Sequence, residues 1–209
     1  MTAATDIASS AVSVDAVVLR VGADGAEVLI HRRAAEPFAG DWALPGVLLG
    51  AGERISDAAI RAAGKAGVSA AAVDGVGQLV VFDEPHRDPR GPTLSISAWV
   101  AVRGFEPSDP ETARWVSWEA LPPLAFDHTR ILADVRPVLA DKLWRDLTFT
   151  AALTGSEFSV RTALDVTRSL TGSDVDRGNL NRTLKRIAVR SDRESSSGVG
   201  RPGALWRWP

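Results

Sequence analysis

Apolar residues in the first half of the chain come in short runs, whereas in the second half they recur at helical spacing. From Val14 to Leu19 (VDAVVL) and from Glu27 to His31 (EVLIH), two runs flank Gly22-Ala23-Asp24-Gly25, whose glycines suit a tight reversal. The pair predicts a β-hairpin. Gly77 to Phe82, Thr93 to Val102 and Thr112 to Trp118 predict three further strands, with clear alternation in TLSISAWVAV. Between them, Ile55, Ala58, Ala59, Ala62, Ala63 and Ala66 fall on one face of a helix over Ser56 to Ala66, with Ser56 placed to cap it and Gly67 to stop it. Strands gathered around a helix without regular βαβ alternation predict a mixed, layered α+β domain.

Two prolines, Pro122 and Pro123, close this body, and Asp127 is placed to cap a following helix on which Ile131, Leu132, Val135, Val138, Leu139 and Leu143 form one stripe. Pro137 lies inside it, so a break near Asp134 is expected. Beyond it, Leu147 to Leu153 predicts a short helix ended by Gly155. Ser159 to Leu170 predicts a second, ended by Gly172. A third runs from about Val175 to Val189, with Ser173 or Asp174 at its start. Val189 to Glu194 and Ala204 to Trp208 read as a hairpin about a Ser/Gly-rich tip, with Trp206 and Trp208 in its core. Helix, helix, helix, hairpin is the order of a winged helix-turn-helix.

Composition excludes several classes. With 45% hydrophobic and 24% charged residues among 209, the chain has the balance of a folded globular protein. Zero cysteines removes disulfides and thiol chemistry, and three histidines (His31, His86, His128) leave little for a His-rich metal centre. No stretch approaches about 18 consecutive apolar residues, and Met1 to Ser10 lacks the basic and apolar regions of a secretory signal. A cytoplasmic location without membrane contact is expected.

The net charge of -2 argues against a polyanionic partner until it is divided. Residues 1–144 hold 13 Lys and Arg against 19 Asp and Glu, while residues 145–209 hold 11 against 7. From Arg177 to Arg207 eight basic residues face only Asp192 and Glu194. On the third helix, Arg177, Asn179, Asn181, Arg182, Lys185 and Arg186 lie off the apolar face formed by Val175, Leu180, Leu184, Ile187 and Ala188. Arginine and asparagine on one helix face match base edges and phosphates, and Arg201 in the hairpin tip suits a minor groove. Double-stranded DNA is therefore the expected partner, against the plainer reading of a solvated helix face.

In the body, Trp42-Ala43-Leu44-Pro45-Gly46, then Gly52-Glu53, then a helix carrying Arg61, resembles the strand–loop–helix signature of the Nudix superfamily. That signature places glutamates at i, i+3 and i+4 on one helix face to hold divalent metals against a diphosphate. The spacing from Glu53 to Arg61 survives, but the sequence offers Ala62, Gly64 and Lys65 where glutamates are needed, and Val47 for the box glycine. No metal site, no catalytic residue and no enzymatic activity are therefore expected, with Asp57, Asp83 and Glu84 the acids available to rebuild a site. Binding can persist without turnover. Arg32, Arg33, Trp42, Lys65, Arg87 and Arg90 are the candidate effector contacts, the last two in the polar loop from Phe82 to Gly91. Trp42 suits a base or ordinary packing, and Arg87 and Arg90 suit phosphates or local pairs with Asp83 and Asp88.

The junction LPPLAFDH (Leu121 to His128) and the terminal GRPGALWRW (Gly200 to Trp208), joined to the Nudix elements, resemble the NrtR family of Nudix-related transcriptional regulators of NAD metabolism, from about Val14 to Trp208. The resemblance implies a Nudix-like α/β/α sandwich with a mixed sheet over residues 12–126, a connector helix over 127–144 and a winged helix-turn-helix over 145–209. It also implies a homodimeric repressor of NAD synthesis or salvage genes that binds a palindromic operator and is released by ADP-ribose or a related nucleotide, with no resident cofactor. A hydrolase of ADP-ribose-type substrates and a regulator of another pathway, such as sugar utilisation, are the competing readings.

Overall fold

A computed structural model describes residues 9–194 and 204–209 of the chain, with side chains at 192–194 and 204 left aside. The predicted hairpin is β1 (Ala11–Gly22) and β2 (Gly25–Arg32), paired antiparallel with Gly22 opposite Gly25 across a two-residue turn. Two short strands follow, β3 (Trp42–Ala43) and β4 (Gly46–Leu48), then helix α1 (Ile55–Gly64), β5 (Val73–Phe82), β6 (Thr93–Val102) and β7 (Ala113–Ser117). Together the strands form one seven-stranded sheet in the order β3-β2-β1-β6-β5, with β4 added to β1 and β7 to β2. Only the β1–β6 pairing is parallel, so the sheet is mixed.

Strand β1 is central and buried on both sides, which is why VDAVVL reads as a run and not as an alternation. Val14, Ala16 and Val18 face α1, whose Ala58, Ala59, Ala62 and Ala63 are all fully buried against the sheet. Small side chains on the helix let it approach closely. Val17 and Leu19 face the other way, into a larger core shared with helices α2 (His128–Lys142), α3 (Leu147–Thr154), α4 (Val160–Thr171) and α5 (Arg177–Ile187) and with strand β10 (Ala204–Arg207). Phe149 is fully buried there, edge-to-face with Trp99 at 5.1 Å. Helices therefore cover both faces, giving a Nudix-like α/β/α sandwich of α+β class.

The second sheet runs β8 (Glu157–Ser159), β10, β9 (Val189–Glu194) in space. It supplies the wing, with a third strand that the sequence pattern did not announce. Trp206 is buried, and Trp208 packs on Phe158 and donates its indole N–H to the Gly155 carbonyl at 2.8 Å. This C-terminal unit is seated firmly on the sheet. The Ala26 amide donates to Ser169 Oγ on α4 at 2.8 Å, and Arg136 on α2 donates to the Ser169 carbonyl at 2.5 Å. Gly25, at φ 127°, is needed twice over: a Cβ there would lie 2.5 Å from the Asp165 carbonyl oxygen.

Several boundaries differ from expectation. Ser56 lies inside α1, whose N-cap is Arg54 with no side-chain hydrogen bond, because the preceding loop is held instead by Glu53. Asp127 is the N-cap residue of α2 but caps nothing, its carboxylate being taken by Arg87. Pro137 does not break α2, which is continuous. Pro137 and Ala133, whose carbonyl loses its donor, both face solvent, where water can serve. Helix α5 starts two residues later than expected, capped by Asp176 rather than Ser173 or Asp174; the Gly178 and Asn179 amides donate to Asp176 Oδ1 at 2.7 and 3.0 Å. No helix among the described residues is long and apolar enough to cross a membrane.

Candidate functional site

A cavity of about 670 Å³ opens between the edge of α1, the β2–β3 loop, the β5–β6 loop and the start of α2. Its floor carries a carboxylate in an apolar strand. Asp15 on β1 is 5% exposed and accepts from Ser95 Oγ of the parallel neighbour β6. Arg87 Nη2 lies 3.5 Å away and His128 Nε2 3.6 Å away. Burial alone would raise the Asp15 pKa, but the His128 imidazole, Ser95 and Arg87 outweigh it and bring it down to about 2. The Leu44 amide donates to His128 Nδ1 at 2.9 Å, so Nε2 is the nitrogen that carries the proton toward Asp15. Arg87 also forks onto Asp127 at 2.6 and 2.9 Å. A chain of polar contacts, Asp127–Arg87–Asp15–His128, thus links the β5–β6 loop, the sheet and the first turn of α2.

The wall is cationic. Arg33 is held by carbonyls, donating from Nε to Pro37 at 2.7 Å and from Nη2 to Ala35 at 3.1 Å, and its guanidinium lies 4.6 Å from the Phe126 ring. Burial and then the neighbouring Arg90 lower its pKa. Lys65, the C-cap residue of α1, lines the cavity, and its ammonium makes no hydrogen bond or ion pair to any described residue. Burial and then Arg33, Arg61 and Arg90 lower its pKa too. His31 is pushed down to about 4, by burial first and then by Lys65, His128 and Arg33, so it is neutral at pH 7. Arg90 is taken up by Asp88 through Nε and Nη2. At the lip, Phe126 and Phe38 pair edge-to-face at 4.9 Å, both in the left-handed region at φ 56° and 66°.

Of the sequence candidates, Arg32, Arg33, Lys65, Arg87 and Arg90 line this cavity and Trp42 does not. Trp42 is buried, with the guanidiniums of Arg32 at 4.4 Å and Arg114 at 4.3 Å from its ring. These are the contacts of a packed side chain. Asp15, His31, Arg61, Phe126 and His128 line the cavity and were not singled out as contacts. For Asp15 the signal was available, since a lone carboxylate inside a buried apolar strand must be paired.

The structure also tests what the Nudix box can hold. Glu53 is forked by Arg61 at 2.7 and 2.8 Å and accepts the Gly50 amide, and Arg61 first, then that amide, lower its pKa to about 2. Among the described residues no group of three or more His, Asp and Glu could hold a metal ion. The i, i+3 and i+4 positions counted from Ala62 are Ala62, Lys65 and Ala66, so the side chains present do not fit a divalent cation at the box.

On α5, Leu180 and Leu184 are buried, while Arg177, Asn179, Arg182, Lys185 and Arg186 are exposed and Asn181 is half-buried. At 3.6 residues per turn, Arg182 and Arg186 stand opposite the buried leucines. Asn179 is fixed at both ends of its amide, donating to Asp176 Oδ2 at 3.0 Å and accepting from Arg182. Arg201 lies outside the described residues.

The sequence profile of the NUDIX domain matches residues 10–135. The chain belongs to the Nudix family. An ADP-ribose pyrophosphatase of Methanocaldococcus jannaschii is 33% identical to this Nudix protein over 128 residues, covering 59% of this chain and 72% of that one. That relative overturns the expectation, drawn from the box, that the chain is not an enzyme. The fold is NrtR-like over nearly its whole length. The Shewanella oneidensis NrtR structure complexed with a 27mer DNA is 20% identical, with 95% of this chain and 93% of that chain covered and a TM-score of 0.75. The NUDIX domain of the same protein complexed with ADP ribose is 21% identical, with 64% and 90% covered and a TM-score of 0.51.

Proposed function

We propose that this Nudix protein is a DNA-binding transcriptional regulator that binds an ADP-ribose-type nucleotide in the cationic cavity and a palindromic operator, as a homodimer, through α5 and the wing. The carrying observation is the pairing, on one hydrophobic core, of a positively lined Nudix cavity with an exposed Arg/Asn/Lys helix face. Likeness to a fold that has been seen with DNA and with ADP ribose supports both halves of the reading. Repression of NAD synthesis or salvage genes is the form of regulation we favour.

In the mechanism, two copies place their α5 helices in successive major grooves about one helical turn apart. Arg182 and Arg186 meet base edges and phosphates, and Asn179, oriented by Asp176, buttresses Arg182. In the cavity, Arg33 and Lys65 supply charge for phosphates, while His31, neutral at pH 7, adds none. Ligand alters operator affinity only through unequal binding to two arrangements of the cavity relative to α5, for which about 1–3 kcal/mol is typical. Helix α2 spans that distance, its first turn at Arg87 and Asp15 and its middle at Ser169 of α4.

The test is a gel shift on the promoter DNA of the protein's own gene and its neighbours, with and without ADP-ribose, and with sugars as rival effectors. Specific binding that weakens with ADP-ribose alone supports the reading, and absence of any sequence-specific binding removes it. The 33% identical relative favours a second reading, cleavage of an ADP-ribose-type diphosphate. Release of AMP from ADP-ribose above a control lacking the protein would establish that activity, beside or instead of regulation.

A further inference from the structure

We propose that the cavity takes the diphosphate of its ligand directly on Lys65 and Arg33, with no divalent cation between protein and phosphate. The proposal rests on the reading of the cavity as a nucleotide site and adds how the charge is met. Of the signature's glutamates only Glu53 remains, and it is consumed by Arg61. From α1 and its C-cap, two cations, Arg61 and Lys65, line the cavity. A doubly charged cation entering here would find Arg33, Arg61, Lys65 and Arg90 around it and too few free oxygens to replace its water.

The anion has the opposite experience. Arg90 and Arg61 are already paired, to Asp88 and Glu53, but among the described residues no carboxylate lies within ion-pair distance of Arg33 or Lys65. Arg33 is fixed by two carbonyls and by the Phe126 ring, so its fork is oriented before any ligand arrives. Lys65 reaches the same space from α1 and adds a mobile point charge. Both cations are made less comfortable by their neighbours, and a diphosphate relieves that repulsion. Two cations of different kind, one rigid and one mobile, are thus placed to share the phosphates that a metal would otherwise bridge.

Isothermal titration of the full chain with ADP-ribose, and separately with inorganic pyrophosphate, in magnesium and in EDTA, tests this. Affinity within threefold in the two buffers is expected, together with a loss of tenfold or more in Lys65→Gln and near-wild-type affinity in Lys65→Arg, at unchanged melting temperature. A more than tenfold loss of wild-type affinity in EDTA, or Lys65→Gln binding like wild type, overturns the proposal. The two readings separate cleanly. Pyrophosphate bound through Lys65 without magnesium, with ADP-ribose ignored, keeps this inference and removes the effector assignment. Magnesium-dependent ADP-ribose binding that still weakens operator affinity does the reverse, and binding of neither probe overturns both.

Discussion

Replacing Asp15 by Asn removes the one charge on the cavity floor while keeping its size. In the folded chain the Asp15 pKa is about 2, against an ordinary 3.8. A group depressed on folding contributes stability that is fully present above its unfolded value and is lost as pH falls through the folded one. At about 1.4 kcal/mol per pK unit, the contribution at pH 7 is about 2 kcal/mol, falling to about half that near pH 3 and vanishing below about pH 2. The geometry explains the sign: Asp15 is almost inaccessible, yet Ser95, Arg87 and His128 all address its carboxylate. Urea unfolding of wild type and Asp15→Asn at pH 7, 5, 4 and 3 measures the gap directly. We expect about 2 kcal/mol at pH 7 and 5, and a gap that closes from pH 4 downward. A gap that does not change with pH would show that the carboxylate is not paired as described, and that packing alone accounts for the loss.

Three further outcomes follow from other parts of the molecule. Phe149→Ala opens the core that the sheet shares with the C-terminal helices, and should cost about 3–5 kcal/mol in chemical denaturation. Arg182→Ala should weaken specific DNA binding by about 1–3 kcal/mol and leave the melting temperature in place; unchanged gel shifts would remove α5 as the reading helix. Asp127→Asn breaks the fork to Arg87 without touching Arg33, Lys65 or α5. It should therefore leave ligand affinity within about threefold and DNA affinity without ligand unchanged, while reducing the effect of ligand on DNA binding, measured as the ratio of operator Kd with and without ADP-ribose.

Long periodic elements were legible in the sequence because periodicity needs length. Thr93 to Val102 and the helices after Ser159 announce themselves, whereas β3, β4 and β8, at two or three residues each, carry no period to read. Caps were legible where the side chain had no better partner. Ser159 caps α4, but Asp127 sits at the right place and spends its oxygens on Arg87, a residue 40 positions away. The cavity was half visible for a related reason. Its arginines and lysine stand out by charge, but Asp15 and His128 are single polar residues whose meaning comes from being brought together by the β1–β6 pairing and the α2 start. Trp42 was open to two readings because an aromatic beside arginines looks the same in sequence whether the arginines clasp it or a base does.

The contact of the β1–β2 turn with α4 bears on how such a chain can be rebuilt. Because the Ala26 amide and the Gly25 backbone rest on α4, and Trp99 and Phe149 share one core, the winged helix is not a detachable bead. Cutting the chain before α3 would uncover the face of β5 and β6 now roofed by Phe149, Ala152 and Leu153. A chimaera that joins this winged helix to another domain must bring a hairpin with glycine at its turn and a sheet surface shaped for α3. The unit of exchange is therefore the winged helix together with the surface beneath it.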